Sequence, residues 1–327
     1  MKVVYVVVSN VNDTYYEQTL ISAISLKKHT PSAQVYFLVD QDTAKTLTGK
    51  RTLHEKIGVN VVTVDVPADL PNMQRSRFIK TSMNLWVEGS FFYIDGDTVV
   101  CDTLDGMDES IDVGMVPDGN GKFEYCPTKK TSSRYKKKIG FSLENFDENY
   151  YNGGFMWYSD SKKAEQLLQL WHELWFKGYK KMPTDQPYLN EANKILKGAI
   201  TEVSGVWNCQ VLFDTPIWLP YIHEAKIIHY GSAKQVLYDL RDEKIQRSIL
   251  KERHEKLDTI LENPKSAFKT RVNQNTKLDI EFNMSAFHYN FRWCYENLHP
   301  LFCVCDFLSR CFFFAPKKLK RLVTGKQ

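Results

Sequence analysis

Residues 3–8 read Val-Val-Tyr-Val-Val-Val, an apolar and mostly β-branched run with no polar interruption. A strand with one face in water alternates, so a run this uniform calls for a parallel sheet covered on both faces. Comparable runs recur at 35–39 and 61–64, and Phe91-Phe92-Tyr93-Ile94 reads as a further buried strand. Between the first two, Thr14 and Glu17 have capping-box spacing, which predicts a helix start. Leu20, Ile21, Ile24 and Leu26 supply its apolar face as far as Lys28. Residues 75–86 read as another helix. Ala164, Leu167, Leu168, Trp171, Leu174 and Trp175 fall at helical spacing and read as a core face. Strand alternating with helix is the rhythm of a doubly wound, Rossmann-like α/β fold with a mainly parallel sheet, which takes ligands beyond its strand C-termini.

The chain has 327 residues, 43% of them hydrophobic, enough for one large α/β domain or two of average size. That composition excludes disorder, collagen, coiled coil and a disulfide-stapled miniprotein. A net charge of +4 is too balanced for a surface built to grip nucleic acid. Seven cysteines, an odd number without regular spacing, and no leader-like start point to a reduced, cytoplasmic setting. No stretch of about eighteen apolar residues is present, so no spanning helix is expected. We expect a catalytic domain over 1–235, a charged, helix-rich C-terminal extension over 236–297, and an aromatic and basic tail over 298–327. Residues 119–140 read as a basic loop, either a solvated surface or a contact for an acceptor or lipid headgroup.

The chemistry starts at Asp95-Gly96-Asp97, directly after a buried strand. Two carboxylates at the end of an open sheet repel unless a divalent cation lies between them. Gly96 is expected to let the backbone approach a bulky ligand. An ordinary polar turn is the alternative. Asp95-Gly96-Asp97-Thr98-Val99 also resembles the nucleophile motif of haloacid-dehalogenase-like phosphatases, but that motif ends a first strand and here three strand candidates precede it. Further clusters follow: Asn152-Gly153-Gly154, a glycine turn; Asp185-Gln186, between Pro183 and Pro187 and so expected to be a rigid loop; and His229-Tyr230-Gly231-Ser232-Ala233-Lys234 after a short strand.

Taken in order, these clusters resemble glycosyltransferase family 8, the retaining glycogenin and lipopolysaccharide galactosyltransferase family with a GT-A fold. The resemblance covers about Lys2 to Lys234. It implies that Asp95, Asp97 and His229 bind Mn²⁺, with Mg²⁺ as the alternative, bridging the diphosphate of a UDP-sugar. Two carboxylates and an imidazole suit Mn²⁺ better than the all-oxygen preference of Mg²⁺. It further implies that Gly231 and Lys234 hold the phosphates, and that Asn12, Asp13 and Tyr16 hold uracil and ribose. Arg77 is expected to reach the donor sugar or phosphate, or else to form a helix-surface salt bridge. Asn152, Asp185 and Gln186 resemble the catalytic residues around the transferred sugar. The chain departs from the family at Gln235-Val236, where Pro-Trp is usual, and at Gly153, where Ser or Ala is commoner. The implied function is a metal-dependent retaining hexosyltransferase, moving glucose or galactose from UDP-sugar to a glycan or lipid-linked saccharide in cell-surface polysaccharide or lipopolysaccharide assembly. A non-catalytic sugar-nucleotide-binding protein on the same fold is the alternative.

Residues 301–314 are dense in large apolar side chains, and Lys317, Lys318, Lys320 and Arg321 follow. This pairing suits a peripheral anchor on an anionic membrane, or else a helix packed on the domain. Cys303, Cys305 and Cys311 lack the spacing and partners of a zinc site.

Overall fold

The computed structural model describes residues 1–123, 135–140, 149–211, 220–230, 242–251, 255–267 and 286–324. Ten strands are described: β1 (Lys2–Val7), β2 (Gln34–Asp40), β3 (Val59–Val64), β4 (Phe91–Ile94), β5 (Thr98–Val100), β6 (Val113–Met115), β7 (Phe155–Tyr158), β8 (Ile200–Glu202), β9 (Cys209–Gln210) and β10 (Ile227–His229). The labelled helices are α1 (Tyr15–His29), α2 (Gln41–Thr46), α3 (Leu53–Lys56), α4 (Asn72–Thr81), α5 (Lys162–Gly178), α6 (Gln186–Ile195), α7 (Glu243–Ser248), α8 (Glu255–Glu262), α9 (Ala286–Asn297) and α10 (His299–Thr324).

Seven strands form the main sheet in the order β3-β2-β1-β4-β7-β6-β8. Pairing is parallel throughout except at β7, which runs antiparallel to β4 and β6. The run that opens the chain is uniform because both its faces are covered. Val3, Tyr5 and Val7 enter one core cluster, with α1, while Val4 enters the other, with Ile79 of α4 and Trp171 and Trp175 of α5. β4 divides in the same way, Phe92 and Ile94 to the first cluster, Phe91 and Tyr93 to the second. The expected face of α5 is buried at Ala164, Leu167, Leu168, Trp171 and Trp175.

β5, β10 and β9 make a second, three-stranded sheet with β10 in the middle. α1 is tied to it by Ser22 Oγ to Thr98 Oγ1 at 2.7 Å and by Val100 N–H donating to Ser25 Oγ at 2.9 Å.

Three local expectations are corrected. The capping box at Thr14 does not form, since Thr14 makes no side-chain cap and Glu17 is buried. Asp13 serves instead, its carboxylate accepting from Tyr15 N at 3.2 Å while also holding Ser9 and Asn10. The helix expected over 75–86 ends at Thr81, followed by a 3₁₀ turn at Met83–Leu85. The proline-flanked loop at 183–187 is half helix, because Pro187 sits in the first turn of α6, where its missing N–H costs nothing.

Contacts divide the chain into two units, Met1–Lys269 and Thr270–Gln327. Residues 243–262, grouped by sequence with the extension, belong to the first unit. Ile245, Ile249, Leu257, Ile260 and Leu261 of this region are buried in the α1-side cluster. The second unit contains α9 and α10, and on α10 Leu301, Val304, Phe307, Leu308 and Phe312 are all more than half exposed. No helix among the described residues is long and apolar enough to cross a membrane.

Candidate active site

β4 ends at Ile94 and delivers Asp95-Gly96-Asp97 at the sheet's C-terminal edge, the position where an open α/β sheet takes its ligands. Asp95 is held in place by its own backbone, N–H donating to Gly154 O at 2.9 Å, and β5 departs at Thr98. Gly96 is a glycine for a packing reason. A Cβ there would lie 2.2 Å from Thr19 Oγ1 of α1, so the turn packs close against that helix.

β10 carries His229 to the same point. Its Nε2 lies 3.1 Å from Asp97 Oδ1, and Tyr230 N–H donates to Asp97 O at 3.0 Å. Asp95, Asp97 and His229 each offer one ligand atom, all within 4.8 Å of one another. Burial opposes charge on both Asp97 and His229, but their mutual attraction outweighs it. The Asp97 carboxyl is held down at about 2 and the His229 imidazole is raised above its ordinary value. Negative charge concentrated here favours a cation, and two carboxylates with one imidazole are a donor set that fits a divalent one.

A second layer explains how the imidazole is aimed. Asn152 Oδ1 accepts from Gly154 N–H at 2.8 Å and from Asn208 Nδ2 at 3.1 Å, while Asn152 Nδ2 donates to Asp118 at 2.8 Å. With its Nδ2 so committed, Asn208 presents Oδ1 to His229 Nδ1, 3.0 Å away. That oxygen can only accept, so Nδ1 carries the proton and Nε2 is the nitrogen turned toward Asp97. Gly154 is needed beneath the ring, since a Cβ there would sit 2.2 Å from His229 Cε1.

Asp185, the residue before α6, does not cap its helix with its side chain. Its carboxylate pairs instead with Arg77 Nε at 3.1 Å and approaches Lys80 Nζ at 3.8 Å; Lys80 in turn holds Asp95 at 3.0 Å. Tyr93 Oη also donates to Asp95. Burial would raise the Asp185 pKa, yet Lys80 and Arg77 pull it below its ordinary value. Gln186 Oε1 accepts from Gly153 N–H at 3.1 Å, tying the start of α6 to the glycine turn.

The structure therefore brings Arg77, Asp95, Asp97, Asn152, Asp185, Gln186 and His229 together, from segments far apart in sequence. Gly231 and Lys234 lie outside the described residues. Tyr16 offers no surface to a base. It is fully buried, edge-on to Phe37, with its hydroxyl 2.9 Å from His54 Nδ1. The exposed ring at that turn is Tyr15, beside exposed Asn12. The Asp13 carboxylate is spent on closing its own loop. Sequence reasoning missed Lys80, Asn208 and Asp118. Lys80 had a signal, a cation one helical turn after Arg77; Asn208 and Asp118 had none.

The galactosyltransferase LgtC, solved in complex with donor and acceptor sugar analogues, superposes with a TM-score of 0.50 at 16% identity, over 76% of this chain and 95% of that one. An active-site variant of LgtC gives 0.51 at 16% identity, over 79% of this chain and 99% of the other. The chain has a GT-A glycosyltransferase fold. At this identity the likeness is one of fold. No family model matches the sequence, and no curated protein matches it. In this fold the Asp-Gly-Asp turn follows the fourth strand of the chain, not the first, which removes the phosphatase resemblance.

Proposed function

We propose that the protein is a metal-dependent, retaining glycosyltransferase that moves glucose or galactose from a UDP-sugar to a glycan or lipid-linked saccharide. The setting we assign is cell-surface polysaccharide or lipopolysaccharide assembly on the cytoplasmic face of a membrane. The observation that carries this reading is the meeting of Asp95, Asp97 and His229 within 4.8 Å on a GT-A fold. Mn²⁺ is the assigned ion, held by those three residues. When bound, it would supply Lewis-acid stabilisation of charge growing on the diphosphate as the sugar C1–O bond breaks. Gly231 and Lys234 are assigned to the phosphates, and Asn12 with the neighbouring exposed Tyr15 to the nucleoside.

The donor sugar is assigned to the ground between Asn152, Asp185 and Gln186. The chain's own residues there orient and do not attack. Asp185 is paired to Arg77 and Lys80, and the Gln186 amide, a poor nucleophile, is engaged by Gly153. Retention is therefore assigned to attack from the face the diphosphate leaves, with the acceptor's proton passing to a departing phosphate oxygen.

The test is binding and turnover of radiolabelled UDP-glucose and UDP-galactose with Mn²⁺, in the parent protein and in Asp97→Ala. The variant should keep its fold and lose Mn²⁺-dependent UDP binding. UDP affinity that is the same in both proteins, with and without chelator, overturns the assignment.

A further inference from the structure

A second concave site shares no lining residue with the Asp95–Asp97–His229 cluster. It is a cavity of about 730 Å³ lined by Lys50, Lys244, Arg247, Ser248, Leu250 and Lys251. Four of those six residues are cationic and none is acidic. Lys244, Arg247 and Lys251 recur at helical spacing on α7 and just beyond it, and Lys50 faces them from the 3₁₀ turn Gly49–Thr52. Among the described residues Lys50, Lys244 and Lys251 have no carboxylate partner; Arg247 has Glu243 at 4.0 Å, on its own helix. Like charges gathered in a concavity repel one another and focus a positive potential, a cost that a multiply charged anion removes.

Arg247 connects this cavity to the loop after β1. Its Nη2 donates to the carbonyls of Asn12 at 2.9 Å and Asp13 at 3.2 Å. Nη1 and Nε have no bond among the described residues, so the guanidinium fork has donors left for a ligand. From its other side the loop is held by buried Arg51, which donates to Asn10 O and Ser9 Oγ, both at 2.7 Å. The four cations share the lining of one concavity, which suits a compact, multiply charged anion.

We infer that this cavity is a phosphate-binding site, taking a phosphomonoester or diphosphate group and firming the Asn10–Asp13 loop through Arg247. It needs neither the metal centre nor a sugar nucleotide.

Calorimetric titration of the full chain with potassium pyrophosphate, at low ionic strength and with EDTA present, decides the site. The parent protein should bind, and Lys244→Glu/Lys251→Glu, two exposed changes, should weaken binding by about tenfold or more. Failure of the parent to bind, or equal binding by the variant, overturns the proposal. Phosphatidylglycerol vesicles, compared with phosphatidylcholine, identify the source. Competition by pyrophosphate for vesicle binding that the variant has lost marks a lipid headgroup; vesicle binding unaffected by the substitutions marks a free phosphate compound. Slower amide exchange across residues 10–16 in the pyrophosphate-loaded protein reports the link to the loop, and unchanged exchange removes that link.

Discussion

His229 can turn Nε2 toward Asp97 because Asn208 occupies its other nitrogen. Asn208→Leu keeps the volume and removes the acceptor, so Mn²⁺ affinity should fall about 10–100-fold. A Mn²⁺ titration followed by electron paramagnetic resonance checks this, and undiminished affinity would reduce Asn208 to a packing residue. Gln186→Ala should lower kcat far more than it raises KM for the donor. Its amide fixes Gly153, and geometry around the reacting carbon matters most in the transition state. A raised KM with unchanged kcat would make Gln186 a binding residue only. A third prediction concerns stability. His172 packs between Phe78 and Phe176 with Thr81 Oγ1 2.7 Å from Nδ1, and burial lowers its pKa below 6.5. The unfolded chain therefore takes up the proton first. The neutral ring's contribution is whole above pH 6.5 and is lost as pH falls from there through the lowered folded value. His172→Phe should shrink the drop in urea midpoint between pH 7.5 and pH 5.5, and an equal drop would count against the burial argument. Asp95 and Asp97 were legible in the sequence because paired carboxylates beside a buried strand are costly and so conspicuous, whereas His229 stood out only through the family resemblance. Tyr16 was not legible. Neighbouring helix positions differ by about 100°, so a one-residue error exchanges exposed Tyr15 for a buried ring.

Elements were legible in proportion to their length. β1, β2, β3 and α5 run long enough for their periods to appear, and their positions agree with expectation to within a few residues. β6, β8 and β9 have two or three residues each, too few for any periodicity, whereas the equally short β10 was read from its apolar Ile227-Ile228 pair. β6 also carries Gly114, which has no side chain to signal burial but is required by Ile111, Val203 and Trp157 packed against it. α5 supports the site directly. Trp171 is fully buried and its Nε1 donates to Asp185 O at 3.0 Å, so the helix holds the segment that carries Asp185 and Gln186. Trp171→Ala should cost about 3–5 kcal/mol in chemical denaturation. A loss below about 1 kcal/mol would mean that the segment is supported elsewhere.

At the scale of the molecule, α7 and α8 are part of the α1-side core. A chain ending at Gln235 should therefore fail to give a cooperative unfolding transition, while one ending at Lys269 should retain it, as calorimetry would register. For the second unit we propose a peripheral membrane role. α10 presents exposed Leu301, Val304, Phe307, Leu308 and Phe312, and the sequence adds Lys317, Lys318, Lys320 and Arg321. Each of those cations adds about 1 kcal/mol near an anionic leaflet, and the apolar side chains add a part that salt does not screen. Truncation at Leu298 should release the protein from phosphatidylglycerol vesicles and leave UDP-sugar hydrolysis nearly unchanged. Vesicle binding that survives truncation would place the contact elsewhere. The second sheet has a consequence for synthesis. Its central strand, β10, is the last of the three to leave the ribosome, so β5 emerges long before the neighbour it needs. At ordinary elongation rates that interval is on the order of ten seconds. Throughout it the nascent chain carries both aspartates without their histidine, beside an unpaired apolar edge open to mispairing. A product released within that interval holds two of the three candidate ligands beside an open strand edge, and the Asp-Asp-His cluster closes only when β10 arrives.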